Sequence, residues 1–362
     1  MTDLLDLAEL REAIRSVLAD RNGGAIAIPG DEGRGLDRAL WDEMAALGWL
    51  GLAIPEHAGG IGQTAAHLGV LYEELGRELA SVPIASTMLI AAAITAHGDA
   101  ATQAKWLPAI AAGEVLGAIA LREAGTADGP ANDTQTLSGT FDHVLFADVA
   151  TLLAVPAETG GLALIAADTP GVSIAGRPVV DLTRSMARIT LDHATPEAIL
   201  PLTPADWDRL LDHAAIALAC DAVGAAAALL DRTVEYLKVR EQFGRPIGSF
   251  QALKHRAADW MVKIEATTVL ARHAAALLGS QPDTPSAPLS IGASEAKFYA
   301  CDVFAAFAGD AVQLHGGIGF TWEHPCHLFL KRAKLSQQLY GSASLHKDRA
   351  ARFAFANPAT GA

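Results

Sequence analysis

Arg240-Glu241-Gln242-Phe243-Gly244-Arg245-Pro246-Ile247, closing on Phe250-Gln251-Ala252, stands where a long helical pattern ends. It sets a guanidinium, an amide and a phenyl ring beside a glycine-proline turn, groups that suit the diphosphate and heterocycle of a dinucleotide. A second run, Gln313-Leu314-His315-Gly316-Gly317-Ile318-Gly319-Phe320, lies further along the chain. Its glycine pair removes side chains where backbone could approach a ligand. The local alternative is that Arg240 caps its helix, Phe243 is core and Gly316-Gly317 is only a turn. The co-occurrence of the two runs favours the ligand.

Around these runs the apolar spacing predicts long helices over 204–239, 250–279, 286–310 and 326–355. Upstream, from Gly117, short β-type stretches separated by turn residues predict strands at 116–121, 136–141, 151–156, 162–166, 178–180 and 188–192. Before them, helical spacing is expected at 4–19, 37–47, 64–79, 84–97 and 100–112. The fold class is therefore α+β and mostly α. Its expected domains are an α-helical one over 1–113, a small, mostly antiparallel β one over 114–203, and a helical bundle over 204–362.

The 362 residues are 51% hydrophobic and only 19% charged, the composition of a globular chain with a sizeable core. A formal charge of −14 argues against nucleic acid or an anionic membrane as the main partner. Cys220, Cys301 and Cys326 are far apart with no C-x-x-C pair, which fits a reducing cytoplasm. Met1–Asp6 is acidic and lacks the basic region of a signal peptide, and the apolar run 214–230 is short for a bilayer. His143, His213, His315, His324 and His327 show no second ligand cluster, so no metal is expected. Gly59-Gly60-Ile61-Gly62 lacks the lysine and context of a phosphate loop. Asp42, Glu43, Glu73 and Glu74 read as solvated helix faces.

The Arg240–Ala252 and Gln313–Phe320 runs resemble the flavin-contacting signature of the acyl-CoA dehydrogenase family. Further phrases are similar to it: Trp41 through Leu47-Gly48-Trp49, Leu52-Ala53-Ile54-Pro55 with Gly59-Gly60, Glu73-Glu74-Leu75-Gly76-Arg77, Leu107-Pro108 and Gly113-Glu114. The resemblance implies that family's fold: N-terminal helical domain, middle β domain, C-terminal four-helix bundle. It also implies FAD as cofactor, an acyl-CoA thioester as substrate for α,β-dehydrogenation, and an electron-transfer flavoprotein as acceptor. By the same resemblance, Arg240, Gln242, Phe243, Gln313, Gly316 and Gly317 reach the FAD of a neighbouring subunit.

The remainder of the family's site is missing. Its usual base, a Glu in a "Y-E-G-T" phrase, falls on Tyr340 in Leu339-Tyr340-Gly341-Ser342, or on Gly341 with a one-residue slip. The alternative address, on the helix leading into the arginine run, falls on Ala214. The "TEP" threonine that touches the flavin ring becomes Arg122, and the "W-I-T-N" phrase becomes His143-Val144-Leu145-Phe146, with His143 and Leu145 for the tryptophan and threonine. Ser342 stands near the place of a threonine hydroxyl on FAD. Groups for a neighbour's flavin are kept and groups for the chain's own are replaced. That asymmetry resembles the base-less subunit of bacterial α2β2 heterotetramers of steroid side-chain breakdown, whose partner supplies the base. Three alternatives stay open: a self-sufficient homomer with a relocated base such as Asp212 or Glu323, other flavin chemistry, or a structural subunit.

Overall fold

A computed structural model describes residues 5–22, 35–121, 131–133, 136–157, 160–280 and 286–356. Helices α1 (Leu7–Asn22), α2 (Arg38–Ala46), α3 (Ala65–Arg77), α4 (Ile84–His97) and α5 (Ala100–Ala111) come first. Side-chain caps set the starts of α2, α3 and α5. Asp37 accepts from Leu40 N, Asp99 accepts from Thr102 N, and Thr64 with His67 forms a reciprocal box at α3. Trp41 is fully buried, and its indole N–H donates to Gly113 O at 2.9 Å, tying α2 to the end of the helical segment.

Two four-stranded sheets follow. One has the order β1 (Gly117–Ile119), β4 (Leu152–Pro156), β5 (Leu162–Ala166), β8 (Ala198–Leu200), with β1 parallel to β4 and the other pairs antiparallel. The other is antiparallel in the order β2 (Ala131–Asp133), β3 (Thr136–Leu145), β7 (Met186–Ala194), β6 (Val172–Arg177). The strand expected at 178–180 is instead a loop, and the true strand is 172–177. Its alternation is masked because inward Ile174 is flanked by Ser173, Ala175 and Gly176, giving little apolar contrast.

Helix α6 (Pro204–Val239) opens with Pro204 after a Thr203–Asp206 capping box. It is apolar enough to span a bilayer by composition, but its most apolar window is 94% buried in the fold. Its alanines allow backbone-to-backbone contact with α3. A Cβ on Gly224 would stand 1.9 Å from Glu73 O, and one on Gly76 would stand 2.2 Å from Asp221 O. Only glycine permits that crossing. The same crossing buries Glu73 and Glu74, which are not solvated as expected. Arg11 pairs with both at 2.7 Å, Arg15 with Glu74 at 2.8 Å, and Arg272 with Glu73 at 2.8 Å. Burial alone would raise the Glu73 carboxyl, but Arg272 and Arg11 outweigh it and hold it below the usual range.

Helices α7 (Gln251–Ser280) and α8 (Ala287–His315) complete the long members of the bundle. The fourth helix is in two pieces, α9 (Cys326–Gln338) and α10 (Ala343–Ala356), rather than the single one expected. Tyr340 and Gly341 take positive φ of 54° and 111°, so the helix stops there. Fully buried Lys297 fixes the break by donating to Gln337 O at 3.1 Å and to Gly341 O.

Candidate functional site

The two sequence runs meet at one end of the bundle. Tyr236, one turn before the end of α6, donates its hydroxyl to His315 O at 3.1 Å, and the two rings stack at 4.6 Å. Arg240 follows α6, and Gly316-Gly317 follows α8. Glu241–Gln242 (β9) and Arg245–Pro246 (β10) form a ribbon whose two-residue turn is Phe243-Gly244, both with positive φ, 56° and 78°. That is the hairpin geometry of two left-handed central residues. A phenylalanine there is strained, yet Phe243 is 91% exposed and meets only the edge of Phe250 at 6.2 Å. Own-chain packing does not explain its placement.

Arg240, Gln242, Phe243, Gln313, Gly316 and Gly317 are all exposed. Arg245 lies over the Phe250 ring at 4.1 Å, but among the described residues the Arg240 guanidinium has no ion pair. A Cβ at Gly316 or Gly317 would meet nothing within 4 Å, and Gly316 (φ 63°, ψ −144°) needs glycine for its backbone. A bidentate cation, a bare turn and an unpartnered ring thus face open space and fit a phosphate-bearing dinucleotide brought from outside the chain. Sequence reading missed the stack that joins the runs. Its signal was Tyr236 four residues before Arg240, on the same helix face. His324, 4.5 Å from the His315 ring, extends the stack and is depressed to about 4, first by burial and then by His315.

At the two base addresses the structure is closed. Ala214 is fully buried. Tyr340 borders a cavity of only about 50 Å³ together with Tyr72, Leu145, Phe146, Arg184 and Asp221. Small-molecule sites usually offer roughly 300–1,000 Å³. Burial pushes the Tyr340 phenol up to about 12, against the lowering effect of Arg184. Asp221 is the carboxylate on this cavity, and it is committed. Arg184 Nη2 donates to its Oδ2 at 2.8 Å, Arg332 Nε to the same oxygen at 3.1 Å, and Arg332 Nη2 to Oδ1. Burial would raise Asp221, but the two arginines outweigh it and hold it below the carboxylate range, which makes it a poor base.

The relocated bases fare no better. Asp212 is fully buried between Arg349 (2.5 Å) and Ser290 (2.8 Å) and does not line the Tyr340 cavity, and Glu323 is exposed before α9. His143 is exposed at an irregularity of β3, where its φ is 57°. Ser342 is exposed and accepts from Leu345 N at 3.4 Å, at the start of α10. Arg122 lies outside the described residues. Among the described residues no group of three His, Cys, Asp or Glu side chains is placed to hold a metal.

The model for "Acyl-CoA dehydrogenase, N-terminal domain" matches residues 6–114, and that for "Acyl-CoA dehydrogenase, C-terminal domain" matches 207–355. The chain is 36% identical to the acyl-CoA dehydrogenase IpdE2 of Mycobacterium tuberculosis, over 92% of each. It is similar to a solved Tcur3481-Tcur3483 steroid ACAD variant, with 34% identity, TM-score 0.84, and coverage of 96% of this chain and 97% of that one. The ChsE4-ChsE5 complex from Mycobacterium tuberculosis matches with TM-score 0.86 and 27% identity over 98% of each chain.

Proposed function

The chain belongs to the acyl-CoA dehydrogenase family, and from that premise we propose that it is the base-less subunit of a heteromeric acyl-CoA dehydrogenase, completing the FAD site of a catalytic partner. The observation that carries this is the contrast at its two would-be sites. The residues expected to contact the cofactor are exposed and have no ion pair among the described residues, while the local base address is an apolar-walled gap of about 50 Å³ closed by a buried Arg184–Asp221–Arg332 cluster.

Each residue's part follows from its chemistry. Arg240 offers two parallel N–H donors and a permanent charge to a pyrophosphate. Gln242 and Gln313 supply amide donors and acceptors beside it. Phe243 presents a ring face, and Gly316-Gly317 lets main chain approach the cofactor. Bound FAD supplies the acceptor for the substrate's β-hydrogen. Removal of the α-proton falls to the partner, since neither Tyr340 nor Ala214 can take one.

The substrate class we infer is a steroid side-chain acyl-CoA, supported by the 34% identical steroid dehydrogenase subunit and the two-chain complexes among the similar structures. An electron-transfer flavoprotein is the inferred electron acceptor. A cytoplasmic location is also part of this reading, consistent with three free, buried cysteines.

The test is to purify the chain alone and together with the product of its neighbouring gene. Flavin is expected only in the complex, and Arg240→Ala should lower its affinity for FAD by tenfold or more, the loss of about 1.5–3 kcal/mol for a charge-assisted pair. A yellow, active chain by itself, or full flavin retention in the variant complex, would overturn the assignment.

A further inference from the structure

Tyr236 touches both motif runs. Its carbonyl accepts from Arg240 N at 2.9 Å in the last turn of α6, and its hydroxyl donates to His315 O at the end of α8. Arg240 O in turn accepts from Ile247 N at 2.8 Å, closing the base of the hairpin that carries Gln242 and Phe243. On the other side, the peptide between His315 and Gly316 is held at both of its polar groups. Tyr236 binds the carbonyl, and Val312 O and Gln313 O accept from the Gly316 N–H. A carbonyl in the last turn of a helix has no partner within that helix. A leucine at 236 would fill much of the same interhelix space, but only a hydroxyl meets the His315 carbonyl.

The rings carry the tie past the glycine turn. His315 is 2% exposed, and its Nδ1 lies 2.7 Å from Ala311 O, so it is seated on its own helix. Its ring takes Tyr236 as a stacked partner with 27° between planes, and His324 as a tilted one. His324 Nδ1 also accepts from Cys326 N at 3.2 Å, which fixes the segment returning from the turn to α9. The turn is thus held at its start by Tyr236 and at its end by His324. Between them Gly316 and Gly317 stay bare, with no atom within 4 Å of a Cβ built on either.

We propose that Tyr236 is a positioning residue for the cofactor, holding the Arg240 hairpin and the Gly316-Gly317 turn in one fixed arrangement. The proposal rests on the reading that this chain completes a partner's FAD site, and Tyr236 acts there through the two runs. Tyr236 and His315 are 79 residues apart in sequence. A ligand that bridges two such segments must bear the cost of ordering them unless the protein has already done so. The hydroxyl and the ring stack supply that order before the cofactor arrives.

The experiment is a fluorescence titration of the apo-complex with FAD, using wild type, Tyr236→Phe, Arg240→Ala and the double variant. Tyr236→Phe keeps the ring and loses the hydroxyl, and should weaken FAD binding by about three- to tenfold, as for one neutral hydrogen bond. Tyr236→Leu loses the stack as well and should weaken it further; should that variant not fold, the phenylalanine variant decides alone. Because Tyr236 acts through Arg240, the double variant should lose less than the product of the two separate losses. A purely structural role would leave the two effects independent, and they would multiply. Multiplying losses would therefore overturn the proposal. Wild-type affinity in Tyr236→Phe, with Arg240→Ala weakened, would overturn it and leave the trans-acting reading standing. No effect of Arg240→Ala would overturn both.

Discussion

Arg184 and Arg332 lie buried on either side of Asp221, whereas Arg240 projects into solvent just beyond Tyr236. The interior pair is satisfied many times over. Arg184 also donates to Ser336 Oγ at 2.9 Å, and Arg332 to Thr183 Oγ1 at 2.9 Å and Ala80 O at 3.2 Å. The exposed arginine meets no carboxylate among the described residues. A charge removed from water must be paired within the chain, so the interior cluster is complete and closes its pocket. A charge left in water is free to meet a partner. The difference separates a region that serves the fold from one that the proposed function assigns to another molecule.

The largest expected effect tests the closed region. Asp221→Asn leaves two buried guanidinium groups without their shared counter-ion, and should cost about 3–5 kcal/mol of stability by urea denaturation. Flavin contacts at the other end of the bundle should survive in whatever fraction remains folded. A loss below about 1 kcal/mol would mean the cluster is solvated and the pocket open.

Next in size is a pH dependence. His213 is ordinarily near 6.5 and falls to about 4 in the folded chain, because burial and then Arg209 disfavour its charged form. Between those values the unfolded chain binds the extra proton. Stability is therefore full above pH 6.5 and is lost as pH falls toward 4, by up to about 3 kcal/mol. His324 shifts in the same direction, so the diagnostic is the difference between wild type and His213→Gln. The variant should show a visibly flatter slope over that window. Identical slopes would place the titrating group elsewhere.

Much of this contrast could be read in the chain before its folding was known. Periodicity located the long helices because their apolar stripes are buried against one another, and the absence of a carboxylate at Tyr340 and Ala214 needed only counting. What escaped was long-range. Glu73 and Glu74 sit on a helix face that looks polar in isolation, yet arginines from α1 and α7 converge on them. Asp221 lies inside the apolar run 214–230, and its partners stand 37 and 111 residues away. The break at Tyr340-Gly341 had a local signal, a glycine followed by the potential cap Ser342, which was masked by the motif expected over the same residues. The six residues expected to contact the cofactor were named from their runs, but the Tyr236–His315 stack that brings those runs together depends on the pairing of α6 with α8.

A smaller effect tests the open region. Phe243 makes little contact with its own chain, so Phe243→Ser should change stability by no more than about 0.5 kcal/mol. The same change should weaken FAD binding by the complex several-fold, in line with about 0.5–1.5 kcal/mol for a lost ring contact. Fluorescence titration of the apo-complex with FAD measures it. A stability loss without a flavin effect would make Phe243 a structural residue after all.

The smallest expected effect is at the vacant base address. The Tyr340 hydroxyl has no hydrogen-bond partner among the described residues, and burial holds the phenol protonated at about 12. It can neither accept the substrate's proton nor anchor the closed pocket. Tyr340→Phe in the complex should therefore leave kcat and kcat/KM for the acyl-CoA within about twofold and stability within about 1 kcal/mol. The ring itself fills space beside Arg184 and Phe146, and phenylalanine keeps that volume. A tenfold fall in kcat with KM unchanged would put this phenol in contact with the reacting atoms. The closed pocket would then be a working site, and the two regions would no longer divide the chain into fold and function.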